Sequence, residues 1–219
     1  MAFYARGSTR EVDAWLANPR PFAPDDPGVL NLKLAWLHER GDYAAAVQLE
    51  SKRPAPKPAK LLNWWWETHV ILDLLGTDDR TAARLRAETL LPEIDAVVAK
   101  IREQAVRDPY DWHPFFSDAL VHALTGDTVT ALRVAREILE IRAKRSDAWQ
   151  DAYARYDYVK ILALAGEKDQ ALTELARLLR VPYGPKVFSV RHDPAWRSFQ
   201  GDPRFEALLS DPKNNAPRF

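Results

Sequence analysis

Cysteine is absent from this 219-residue chain, which excludes disulfides and thiolate metal sites at once. Glycine is scarce, with eight residues, and four of them sit where helical runs end, so little remains to build a phosphate cradle. No G-x-S-x-G, glycine-rich phosphate loop or nucleotide fingerprint occurs. Net charge is missing too: 31 Lys and Arg are offset by 31 Asp and Glu. Without a basic excess to set against phosphate, no nucleic-acid partner is expected. No stretch approaches the ~20 uncharged apolar residues of a membrane span, so no membrane partner is expected either. The opening "MAFYARGSTREVDAW" lacks the apolar run of a signal peptide, and the expected location is the cytoplasm. Strand signals are few as well.

What the chain has is helix. Ala, Leu, Arg and Glu dominate, and apolar residues recur at three and four, the amphipathic pattern. Gly41, Gly76, Gly126 and Gly166 each close such a run, and the next begins at once: "RGDYAAAVQL", "LGTDDRTAARL", "TGDTVTALRV", "AGEKDQALTEL". Each reads as one device. A left-handed glycine ends a helix, a polar residue opens the next, and a small residue five or six positions on (Ala46, Ala82, Ala131, Ala171) lets the two helices pack closely. Glycine spacings of 35, 50 and 40 residues point to a helical solenoid, in which each pair buries its apolar face against its neighbours.

These residues resemble the tetratricopeptide repeat family over about residues 28–182, best in "DAWQDAYARYDYVKILALAGEKDQALTELARLLRVP". The position of the family's early Trp holds Leu30, Trp65, Phe115 and Arg155, so the repeats are degenerate. The tail "VRHDPAWRSFQGDPRFEALLSD" resembles the segment closing such arrays in bacterial signalling and transcription-regulating proteins. Asp193 and Asp202 can each cap a short helix with proline at its first position, and Trp196, Phe199, Phe205 and Leu208 would cover the last pair. The expected fold is therefore all-α: a right-handed α-α superhelix of about four degenerate pairs with a short helical cap. Residues 1–27 would form an N-terminal helix and linker, 28–182 the repeats, and 183–219 the cap. "STREVDAWLANP" reads as one helix ahead of the first pair, "SKRPAPKPAK" as an extended linker, and Pro92 as a helix break near Leu91.

The resemblance also implies a concave groove, lined by first-helix positions 13, 10, 6 and 3 residues before each turn glycine. Transferred to this chain, the lining is Gly28, Asn31, Ala35 and His38, then Asn63, Trp66, Val70 and Asp73. His113, Phe116, Leu120 and Ala123 follow, and finally Tyr153, Tyr156, Lys160 and Ala163. Asn63, Trp66, Asp73, His113, Phe116, Tyr153, Tyr156 and Lys160 are the candidate partner-binding residues, with aromatics and a cation suited to gripping a peptide. Within "LLNWWWETHVILDLLG", Trp64 and Trp65 point to opposite flanks and read as core, while Trp66 falls on the groove. His69 with Asp73, and Asp118 with His122, share helix faces, but no third ligand is evident in sequence and no metal or other cofactor is expected. The leading expectation is a non-catalytic interaction scaffold, not an enzyme, binding a protein or peptide. The alternative is a regulatory ligand-sensing domain of a bacterial signalling or transcription-regulating assembly. A closed pocket with convergent polar groups would favour that alternative, and a cleft of perturbed carboxylates and histidines would favour an enzyme.

Overall fold

The computed structural model describes residues 10–19, 21–23, 26–52, 62–104, 112–143 and 147–215, apart from the side chains of 11, 27 and 62–66. Among the described residues every regular element is a helix: α1 (Arg10–Ala17), α2 (Pro27–Glu39), α3 (Tyr43–Ser51), α4 (Leu62–Gly76), α5 (Arg80–Arg102), α6 (Trp112–Thr125), α7 (Thr128–Arg142), α8 (Ala148–Leu164), α9 (Lys168–Leu178), α10 (Val187–His192), a 3-10 helix (Pro194–Phe199), α11 (Pro203–Ser210) and α12 (Pro212–Asn215). No described helix is long and apolar enough to cross a membrane. Each helix from α2 to α9 packs against the next, and α6 also touches α4 and α8. One apolar core runs from Ile71 to Leu209.

The same turn joins four helix pairs. The amides of Asp42, Asp79, Asp127 and Glu167 bond the carbonyls of Leu37, Leu74, His122 and Leu162, closing the preceding helix. Before each amide stands a left-handed residue: Gly41 at φ 73°, Asp78 at 65°, Gly126 at 97° and Gly166 at 87°. Five positions on lies an alanine with 0% exposure, namely Ala46, Ala83, Ala131 and Ala171. The second turn therefore pivots on Asp78, not on Gly76, and its buried alanine is Ala83, not Ala82. Aspartate tolerates the left-handed region better than most residues. Gly76 serves a different purpose: a Cβ there would run into the Tyr43 ring, so its absence brings α4 close to α3.

Pro92 does not break the chain; α5 continues through it. Ala83, Ala87, Ile94 and Val98 form one buried stripe along α5, while Pro92 and Glu88 lie on the exposed side. The carbonyl that proline leaves unbonded is thereby turned toward water, and packing of the stripe holds the helix together.

The tail does more than cover the last pair. Asp193 and Asp202 cap their helices through Ala195 N and Arg204 N, each with proline following. Trp196, Phe199 and Phe205 are buried, Leu208 packs partly buried against the core, and α11 packs on α9. The 3-10 helix, however, lies against α8 and reaches α4, and α10 reaches α2. Arg197 donates to the Gly76 carbonyl and pairs with Asp78, and Ser189 Oγ donates to Glu39 at 2.7 Å. The tail crosses the face where the first helices of the pairs converge.

Candidate functional site

Beside the crossing tail lies a cavity of about 280 Å³. Its wall takes Ala35, His38 and Glu39 from α2, Thr68 and His69 from α4, and Trp112, His113, Phe116 and Ser117 from α6. Tyr153, Tyr156, Asp157 and Lys160 come from α8, and Ser189 and Asp193 of the tail complete it. Helical spacing explains the contribution of α8, since residues three, four and seven apart share one face. A second cavity of about 260 Å³, against the 3-10 helix, is lined by Leu75, Arg80, Arg84, Ala123, Ala163 and Arg197, among others.

The polar groups of the first cavity answer one another. Lys160 Nζ stands 2.7 Å from Asp157 and 4.0 Å from Asp193, and 4.5 and 5.1 Å from the ring centres of Phe116 and Tyr156. Tyr156 donates to Asp193 at 3.1 Å and accepts from Trp196 Nε1 at 3.1 Å. His38 Nδ1 donates to Asp73 at 2.7 Å.

Burial governs the proton equilibria. It pushes up the carboxyls of Glu39, Asp73 and Asp157, opposed only in part by Ser189, His38 and Lys160 respectively. For His38 and Lys160 burial alone would depress the charged form, but the bonded carboxylates together outweigh it and both are raised. His113 is lowered by burial. The cavity thus carries a cation and an excess of acidic groups between aromatic walls.

His113, Phe116, Tyr153, Tyr156 and Lys160 come together in this cavity, as does His38. Tyr156 is half core and half wall, because its hydroxyl is bonded to the tail, whereas Tyr153 is 43% exposed and touches Trp149 edge-on at 5.2 Å. Leu120 is fully buried, and Ala123 and Ala163 fall to the second cavity, so the tail interrupts the stripe expected to be continuous. Asp73 lies behind the wall, bonded to His38. Counting back from Asp78, the left-handed residue, instead of from Gly76 moves the α4 positions two residues onward, which puts Thr68 at the first cavity and Leu75 at the second. The side chains of Asn63 and Trp66, with those of Trp64 and Trp65, lie outside the described residues, as does most of the linker 51–60.

Glu39, Asp157, Ser189 and Asp193 were missed. Asp157 carried a signal, standing three residues before Lys160 on one helix; Ser189 and Asp193 carried none, because the tail arrives from far along the chain. No known protein family, curated protein or solved structure matches this chain.

Proposed function

We propose that the chain is a non-catalytic recognition module of tetratricopeptide-like build, a right-handed superhelix of degenerate pairs, and that it senses a small ligand bearing a positive group. The repeated turn, the buried alanine five residues on and the capped Asp-Pro tail support the architectural part. The partly enclosed cavity carries the functional part. An extended peptide needs an open stripe, and here the tail lies across it. A volume of about 280 Å³ is at the small end of ligand sites. The walls of Trp112, Phe116, Tyr153 and Tyr156 with Glu39, Asp157 and Asp193 suit an ammonium or guanidinium group, and Lys160 already shows a cation seated there.

The perturbed carboxylates and histidines would also suit an enzyme. Their hydrogen bonds to Ser189, His38, Lys160 and Tyr156 fix charges in place around the cavity, which supports binding. A peptide reading draws on the exposed pair Trp149 and Tyr153 at the rim, 49% and 43% exposed.

Calorimetry of the full chain against amines, guanidinium compounds, amino acids and size-matched dicarboxylates tests the proposal. A cationic compound should bind, and Glu39→Gln should weaken it roughly tenfold or more, as loss of a charged hydrogen bond does. Binding of no compound at millimolar concentration, or binding indifferent to Glu39→Gln, overturns it. Peptide binding that depends on Trp149 and Tyr153 alone would restore the groove.

A further inference from the structure

Asp95 of α5 and Asp118 and His122 of α6 line neither cavity, yet one ligand atom from each lies within 4.8 Å of the others. His122 Nε2 is 3.2 Å from Asp95 Oδ1 and 3.5 Å from Asp118 Oδ1. Donors held about 2.1 Å from a tetrahedral ion stand about 3.4 Å apart, close to both separations.

Hydrogen bonding alone leaves this cluster incomplete. One imidazole nitrogen carries at most one hydrogen, and two carboxylates face it. The Asp118 side chain is 1% exposed, and its Oδ1 has no N–H donor, so without a cation its hydrogen bonding rests on a proton shared with Asp95. Arg102 comes no nearer than 3.9 Å to the other oxygen, because its guanidinium is held by Glu137 through two bonds of 3.0 Å. An unmatched buried acceptor is costly, and one cation between the three groups would satisfy all of them. The far nitrogen of His122, Nδ1, is also buried without a hydrogen bond and lies 3.6 Å from Asp127. A carboxylate behind a ligating histidine is the usual orienting partner in metal sites. Asp95 is half exposed, which leaves a way in.

We propose that Asp95, Asp118 and His122 form a binding site for a divalent transition-metal cation, Zn²⁺ foremost, with Asp127 orienting the histidine. The imidazole nitrogen favours such an ion over Mg²⁺ or Ca²⁺, which prefer oxygen.

The test is calorimetry of the chelator-treated full chain with Zn²⁺ alone, Co²⁺ absorption as a second readout, and Ca²⁺ as the contrast. One equivalent of Zn²⁺ should bind and raise the melting temperature, and Co²⁺ should give a tetrahedral-type visible band. Asp95→Asn, at an exposed position that tolerates substitution, should weaken Zn²⁺ at least about tenfold, as should His122→Gln, and Asp127→Asn by about tenfold. Asparagine at 127 keeps the helix cap, so its effect reads orientation rather than folding. Absence of one-to-one binding, an unchanged affinity in folded Asp95→Asn protein, or a preference for Ca²⁺ overturns the site. So does Zn²⁺ binding abolished by His113→Gln but not by His122→Gln.

Discussion

Tyr156 accepts from Trp196 and donates to Asp193, so one hydroxyl ties α8 to the tail at two points. Tyr156→Phe would leave the Trp196 N–H without its acceptor in a buried setting, and should cost ~1–3 kcal/mol in urea unfolding. Tyr153→Phe, at the exposed rim, should stay within ~0.5 kcal/mol. His38 supplies a pH signature. Its raised pKa means that the bond to Asp73 contributes fully below the unfolded value near 6.5 and is lost as pH rises through the folded value. The stability gap between the native chain and His38→Gln should therefore narrow as pH rises above about 6.5. A gap that widens with pH would show that the imidazole is not held protonated by Asp73.

At the scale of elements, the turns show what a sequence discloses and what it hides. Counting back from Gly126 and Gly166 placed His113, Phe116, Tyr153, Tyr156 and Lys160 on one wall, because those glycines are the left-handed residues. In "LGTDDR" the visible glycine is a packing residue and the pivot is Asp78, an exchange that local pattern does not mark. Two substitutions separate these roles. Gly76→Ala should destabilise by ~1–3 kcal/mol through overpacking on Tyr43. Asp78→Gly relieves left-handed strain of roughly 1 kcal/mol and gives up only an ion pair whose Asp78 end is exposed, so it should be neutral or stabilising. Were Gly76 the pivot, this order would invert. Pro92 misled for a related reason: local rules predict a break, but the buried stripe of α5 outweighs them. Pro92→Ala should restore the missing bond and stabilise by up to ~3 kcal/mol.

For the whole molecule, the tail decides whether the chain behaves as an open array or a closed one. Trp196 stacks on Phe205 at 5.6 Å and meets Phe199 edge-on at 5.2 Å, and all three are buried. At ~1.5–3 kcal/mol for each buried side chain, they rival the ~5–15 kcal/mol by which a whole domain is stable. An end cap would protect α8 and α9 alone, whereas this tail also holds α4 through Arg197 and α2 through Ser189. Chain ended before Val187 should therefore lose hydrogen-exchange protection in α2 and α4 as well as in α8 and α9, and expose apolar surface that drives association. Arg197→Ala should give a milder form of the same result, loosening α4 while α8, α9 and α11 stay protected. If truncation loosens only α8 and α9, the tail is a local cap, and the first cavity loses the wall that makes it a pocket.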